Sequence, residues 1–320
     1  MNQNEVDEAI AEINKKVKSR ILVFVILGVI LIAIGIILIV FVDIMPGIMF
    51  MVFGVLFPVG GLSFAKNRAI KVHLIPFVIK KALGKSAIYR PFTGYDSSEL
   101  MKMDMFRVHT LSQEDYISAV YKGVKFRCAD VESYETHSDG DGHTSRTTYF
   151  DGIVLVYEFN KPFDGEIRVA EKEIGSSQFI IPKHLKEIHL ESTEFEDNYD
   201  AYASDEHIGF YVLTPQLIMQ LNKIRTIIKG TFLFQFKEDK LYIAINGAKN
   251  RLEAGLTKKL NRETVDKLCK ELDPLKLICD VMNLDNTYFK ENHEILNNID
   301  QEKKKTAKKL RRELKEKISN

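Results

Sequence analysis

Cysteine is scarce in this chain of 320 residues: Cys128, Cys269 and Cys279 make an odd number, with no CxxC spacing. That excludes the dense, paired framework of a small secreted disulfide domain. Cys269 and Cys279 lie in apolar stretches, where a reduced thiol behaves as a small hydrophobe. An excess of one charge is also lacking. Lys and Arg total 45 against 44 Asp and Glu, a formal net charge of +1, so the chain as a whole is no polyelectrolyte. Missing too are the compact catalytic signatures: no GxxxxGK[ST] phosphate loop, no GxGxxG after a strand, no GxSxG elbow and no HExxH helix. No cofactor is implied.

What the chain does have is a long apolar run. Ile21–Val42 reads ILVFVILGVILIAIGIILIVFV without a charged or strongly polar residue. As a helix it would extend about 33 Å, enough to cross a hydrocarbon core of about 30 Å. Asp43, Pro46 and Gly47 interrupt it, and a second apolar stretch, Ile48–Ala65, carries Pro58. A signal peptide has a shorter apolar core of about 7–15 residues and ends at small residues before a cleavage site. The first run is longer and has no A-x-A ending, so it reads as a retained anchor. Gly28 and Gly35 are seven residues apart, as are Gly47, Gly54 and Gly61. That spacing lines one seam per helix and predicts an antiparallel pair with closely approaching backbones.

Lys15, Lys16, Lys18 and Arg20 precede the first run, and Lys66, Arg68 and Lys71 follow the second, while the short loop between has no positive charge. Positive flanks favour the cytoplasmic side, so both termini are expected in the cytosol. Two helices without buried charge offer no pathway for a solute, which disfavours a transporter or channel.

Outside the anchor the pattern is α+β. Val6, Ile10, Ile13 and Val17 mark an amphipathic leader, and Ala69–Leu83 predicts a helix along the membrane surface, interrupted by Pro76. Val124–Ser133 and Thr147–Phe159 flank HSDGDGHTS, the composition of a hairpin tip. Glu166–Ala170, Gln178–Ile181, Lys186–Glu191 and Ile208–Leu213 are shorter strand candidates. Thr214-Pro215 signals the start of a helix reaching about Lys229. Thr231–Lys237 and Leu241–Asn246 predict a hairpin around Glu238-Asp239, and two helices, Asn261–Leu272 and Leu275–Leu284, follow. Strands followed by helices, without βαβ alternation, indicate an α+β domain. The chain thus divides into an amphipathic leader (1–20), a transmembrane helical hairpin (21–65), a membrane-proximal helical linker (66–90), a soluble α+β domain (91–298) and a basic helical or disordered tail (299–320). Within the tail, Gln301–Asn320 carries nine Lys and Arg against three Glu, a net +6. Each basic residue near an anionic bilayer is worth about 1 kcal/mol. No aromatic interleaving or module for nucleic acid accompanies it.

Three groups could carry chemistry. His137 and His143, with Asp139 and Asp141, crowd the hairpin tip, but no Glu stands at the twelfth position a calcium loop requires. His189 and Glu191 share a strand face, with His184 and His207 near in sequence, and a metal site there would need a third ligand. Glu191–Glu206 is an acidic stretch that could attract a basic partner. No nucleophile–base pair is visible, so no catalytic residue is assigned.

The order of features resembles a bacterial membrane-protein family, domain of unknown function 3137, sometimes mislabelled galanin-like. The resemblance rests on Phe106, Ser112-Gln-Glu-Asp-Tyr116-Ile117, Phe150-Asp-Gly152, Phe163-Asp-Gly165, Glu194-Phe195-Glu196, Tyr202-Ala-Ser204-Asp205 and Tyr211-Val-Leu-Thr-Pro215. It runs from the anchor to about Asn246, and Phe150-Asp151-Gly152 departs from the Phe-Lys-Gly of the family pattern. It implies an inner or plasma membrane location and an anchored soluble domain, and transfers no catalytic residue. The expected function is a cytosolic, membrane-anchored interaction or scaffold domain that binds a protein partner or lipid headgroups. The alternative is a membrane-bound metal-dependent hydrolase using His189, Glu191, His137 or His143.

Overall fold

A computed structural model describes residues 3–140, 142–172, 178–248, 252 and 261–282. Helix α1 (Gln3–Phe41) is unbroken for 39 residues, about 58 Å at the α-helical rise. Its beginning buries Val6, Ile10 and Ile13 in the main core, whereas past Ile21 most of its aliphatic side chains are exposed. Leader and apolar run are therefore one helix. The leader's apolar face turns toward the soluble domain, not toward a membrane surface.

Within α1, Val6–Phe41 is long and apolar enough to cross a membrane, and only 11% of its most apolar window is buried. After a two-residue break, α2 (Ile44–Ala69) returns along α1. Gly28, Gly35, Gly47 and Gly54 meet as their spacing predicts. A Cβ on Gly28 would stand 2.7 Å from the Gly54 carbonyl oxygen, and one on Gly35 2.9 Å from that of Gly47. Among the residues of α2 whose side chains are described, the apolar stretch Ile44–Gly60 is shorter than a full span. By length and composition, then, one of the two expected spanning helices qualifies among the described residues.

A π-helical turn (Ile70–Leu74) joins α2 to α3 (Ile75–Leu83), which carries Pro76 in its first turn. Ile70, Leu74, Ile75, Val78 and Ile79 are buried in the main core. This segment was expected along the membrane surface; its apolar face instead covers the sheet.

The sheet is antiparallel and seven-stranded, built from β1 (Ile88–Arg90), β2 (Thr110–Tyr121), β3 (Val124–Ser138), β4 (Thr144–Glu171), β5 (Lys186–Ile188), β6 (Tyr199–Ala203) and β7 (Thr231–Asn246). Its order is β1-β2-β3-β4-β6-β5, with β7 along β4. Side chains alternate across it. Ile117, Cys128, Leu155, Val169 and Ile243 face the α1 leader, α3, α7 (Pro215–Ile227), α8 (Arg262–Glu271) and α9 (Asp273–Val281). Val131, Val154, Ala170 and Leu233 face a smaller core beneath α4 (Ser97–Met103) and Phe106.

The hairpin around HSDGDGHTS is present, with strands longer than expected. Glu166–Ala170 is not a separate strand but the second half of β4, which bends at bulges between Glu158 and Glu166. Likewise the expected hairpin at Glu238-Asp239 is one bent strand, β7. Both of its halves pair with β4, and Glu238 takes a positive φ of 57° at the bend. Gln178–Ile181 forms only a single bridge, Phe179 to Phe106. Two short helices flank β6, α5 (Thr193–Asn198) and α6 (Glu206–Val212). The expected strand Ile208–Leu213 falls largely within α6, because the Asp205 carboxylate caps the His207 and Ile208 N–H groups. Helices α7, α8 and α9 match expectation, with Thr214 and Asn261 as side-chain caps. Asp141 and the basic tail, 299–320, lie outside the described residues.

Candidate functional site

The four residues singled out for metal chemistry occupy two separate places. His137 and His143 lie on the exposed arm of the β3–β4 hairpin. The His137 Nε2 is 3.6 Å from Glu135 Oε2, and the His143 backbone N–H donates to the Asp139 carboxylate at 2.8 Å. His189 follows β5 and is exposed, its Nδ1 3.4 Å from Glu196 Oε2; Glu191 is exposed as well. His184 lies 3.5 Å from Glu166, and His207 sits in the first turn of α6. Among the described residues, the group whose ligand atoms all lie within 4.8 Å of one another is Glu114, Asp115 and Asp130, which includes none of these histidines.

That acidic group arises from strand register. Glu114 on β2 lies opposite Asp130 on β3, and Ser112 opposite Glu132, which in turn faces Asp151 on β4. Paired residues share a face, so the row forms a pocket of about 170 Å³ lined by Ser112, Glu114, Asp130, Val131, Glu132, Asp151 and Gly152. A bulge between Glu114 and Ile117 puts Asp115 at a φ of 57° and lets two consecutive acids point to one side.

Lys71 enters from the π-helical turn, its Nζ 2.7 Å from Glu114 Oε2 and 3.0 Å from Asp115 Oδ2. Tyr89 donates its hydroxyl hydrogen to Asp115 Oδ1 at 2.5 Å. Burial raises the Asp115 carboxyl pKa, and the Tyr89 hydroxyl and Lys71 ammonium only partly offset it. Burial would depress the Lys71 pKa, but Glu114 and Asp115 outweigh it and the net shift is upward. Tyr89 is pushed upward by burial and then by the Asp115 charge. Chemically, three carboxylates at this spacing are a donor set for a hard divalent cation. Here the ammonium of Lys71 already supplies positive charge to two of them, so the cluster also fixes the end of α2 to the sheet.

In the sequence, Glu114 and Asp115 stand out only as part of the family pattern Ser112–Ile117. Adjacent acids inside an otherwise strand-like run, SQEDYIS, were the available signal. Their meeting with Lys71, 43 residues away for Glu114, depends on the fold.

A second polar cluster is buried on the opposite face. Glu166 Oε1 accepts from Arg168 Nε at 2.7 Å and from Gln235 Nε2 at 3.1 Å, and Lys237 lies 3.3 Å from its other oxygen. Arg168 Nη1 donates to the carbonyls of Asp104 at 2.6 Å and Ile180 at 2.7 Å. Arg168 thus ties the Met103–Phe106 and Phe179–Ile181 segments to the sheet. Its donors are consumed by protein groups, which makes it a structural clamp.

Fold and site together define a class: an antiparallel α+β domain fused to an apolar helix of membrane-crossing length. Residues 148–284 match the model of the family described as Protein of unknown function (DUF3137), the family this sequence resembles. The match leaves out Phe106 and Ser112–Ile117 and extends past Asn246. No curated protein matches the chain. Among solved structures, the crystal structure of the mycobacterial trehalose monomycolate transport factor A, TtfA, aligns at 8% identity over 61% of this chain and 88% of that one. Its TM-score of 0.35 is too low to bear on fold or function.

Proposed function

We propose that this protein is a two-pass membrane protein with cytosolic termini, whose β-rich domain is an interaction platform held against the membrane. The observation that carries this reading is the division of α1: one end is buried in the domain core and the rest presents aliphatic side chains outward. A core helix of a soluble protein buries such a surface, and an exposed apolar surface this large needs lipid or a partner. Since α2 packs along α1 through Gly47 and Gly54 and exposes its own aliphatic face, the two helices share one environment. The second pass tolerates its shorter apolar run by local thinning of the bilayer or by snorkelling of its flanking basic residues. The basic tail adds attraction to anionic headgroups of the same leaflet, and the partner is a protein or those headgroups.

Thiol accessibility tests the topology. Cys128 and Cys279 are buried, and burial raises the thiol pKa of the half-buried Cys269, so background reactivity is low. With Ser319→Cys, an impermeant maleimide should label only after the membrane is permeabilised. Labelling in intact cells would overturn the cytosolic assignment. A metal-dependent hydrolase is the competing reading. Stoichiometric zinc or manganese in the purified full-length protein, lost on His189→Ala, would replace the platform reading with it.

A further inference from the structure

The loop after β1 exposes an aromatic side chain at the level where the helix pair leaves its apolar segment. Phe92 is 55% exposed, and the Arg68 guanidinium lies over its ring, Cζ 5.6 Å from the centroid. By sequence the apolar run of α2 extends to Ala65, and Arg68 stands three residues beyond it, about 5 Å further along the helix axis. The interfacial layer on each side of a bilayer is about 5–8 Å deep, so Arg68 falls within it and Phe92 lies beside Arg68. The register of α1 on α2, with Gly28 against Gly54 and Gly35 against Gly47, carries the exposed Lys15, Lys16 and Lys18 to the same level.

The loop is also held from both ends. The Asp115 N–H donates to the Pro91 carbonyl at 3.2 Å. Gln113 clamps the backbone of Tyr95, accepting from its N–H at 2.9 Å and donating to its carbonyl at 3.1 Å. A Cβ on Gly94 would stand 2.2 Å from Gln113 Oε1, so the chain passes against that clamp as only glycine allows. Phe92 is thus presented outward by a fixed loop, with Asp96 as the exposed acid nearest in sequence.

We propose that Phe92 and Arg68 form an interfacial contact that docks the soluble domain on the leaflet crossed by α1, the ring at the headgroup–acyl boundary and the guanidinium on lipid phosphate. Aromatic rings and basic side chains favour that depth. The proposal rests on the membrane-anchored reading and adds to it a second point of attachment, which fixes the orientation of the domain.

The chain has no tryptophan, so Phe92→Trp places a single reporter. The full-length variant is reconstituted into vesicles containing phosphatidylglycerol and lipids brominated at shallow acyl positions. Val29→Trp, on the outer face of α1, serves as the membrane reference, and Phe210→Trp, exposed on α6, as the aqueous one. Phe92→Trp should be quenched several-fold more strongly than Phe210→Trp, and adding Arg68→Gln should weaken that quenching. Equal quenching of Phe92→Trp and Phe210→Trp, with Val29→Trp strongly quenched, would overturn the contact while leaving the anchor intact. Absence of quenching at Val29→Trp would overturn the membrane reading itself.

Discussion

Lys71 Nζ lies 3.0 Å from Asp115 Oδ2, and the two side chains are 14% and 4% exposed. This ion pair joins the turn that follows the helix pair to the bulge in β2. Removing one partner of a buried pair leaves the other charge without compensation, at a cost of about 3–5 kcal/mol. Lys71→Met should therefore lower the unfolding midpoint of the full-length protein in detergent strongly. Lys71→Met combined with Asp115→Asn should recover much of the loss, because the buried charge is gone and the carboxylate left unpaired, Glu114, is 42% exposed. Equal midpoints for the single and double variants would show that Asp115 does not depend on Lys71.

The helix seam makes a sharper comparison. Leucine at Gly28 would bring a Cβ to 2.7 Å from the Gly54 carbonyl oxygen and 2.3 Å from Pro58 Cγ, whereas a Cβ on Gly60 meets nothing within 4 Å. Backbone on the facing helix cannot rotate away, so Gly28→Leu should cost about 1–3 kcal/mol by overpacking. Gly60→Leu should leave the melting temperature within error. Differential scanning fluorimetry of both variants in one detergent checks this, and similar melting temperatures would argue against the seam.

Much of the fold was legible where one local signal decided the outcome. Thr214-Pro215 starts α7, and the glycine- and aspartate-rich stretch turns β3 into β4. What was misread depended on distant partners. The halves of β7 look like a hairpin around Glu238-Asp239, and only their common pairing with β4 makes them one bent strand. The 69–83 segment reads as a surface helix because its basic residues punctuate an apolar run, but Lys71 has its counter-charges on β2. The candidate histidines were singled out by proximity in sequence, which does not bring side chains to one point in space.

Residues 208–213 failed for a different reason: their apolar and aromatic content favours a strand, and a cap decides otherwise. The Asp205 carboxylate accepts from two N–H groups, at 2.9 Å from His207 and 3.2 Å from Ile208. Asp205→Ala should cost about 1 kcal/mol and Asp205→Ser much less. Amide hydrogen exchange across Glu206–Val212 should quicken in the alanine variant alone. Unchanged protection there would mean that packing holds α6 without its cap.

The two buried acids impose opposite pH dependences. Burial would raise the Glu166 pKa, but Arg168 and then Lys237 outweigh it and hold it below the ordinary value of 4.5. Its contribution to stability is complete above that unfolded value and is lost as the pH falls through the lower, folded value. For Asp115, burial raises the folded pKa above 3.8. Its contribution is complete below 3.8 and is lost as the pH rises through the folded value. Acid lability should therefore trace to Glu166. Between about pH 5 and 3 the wild-type melting temperature should fall more steeply than that of Glu166→Gln, while Asp115→Asn should not flatten the acid limb. If Asp115→Asn flattens it and Glu166→Gln does not, the Arg168 clamp is not what sets the charge of Glu166.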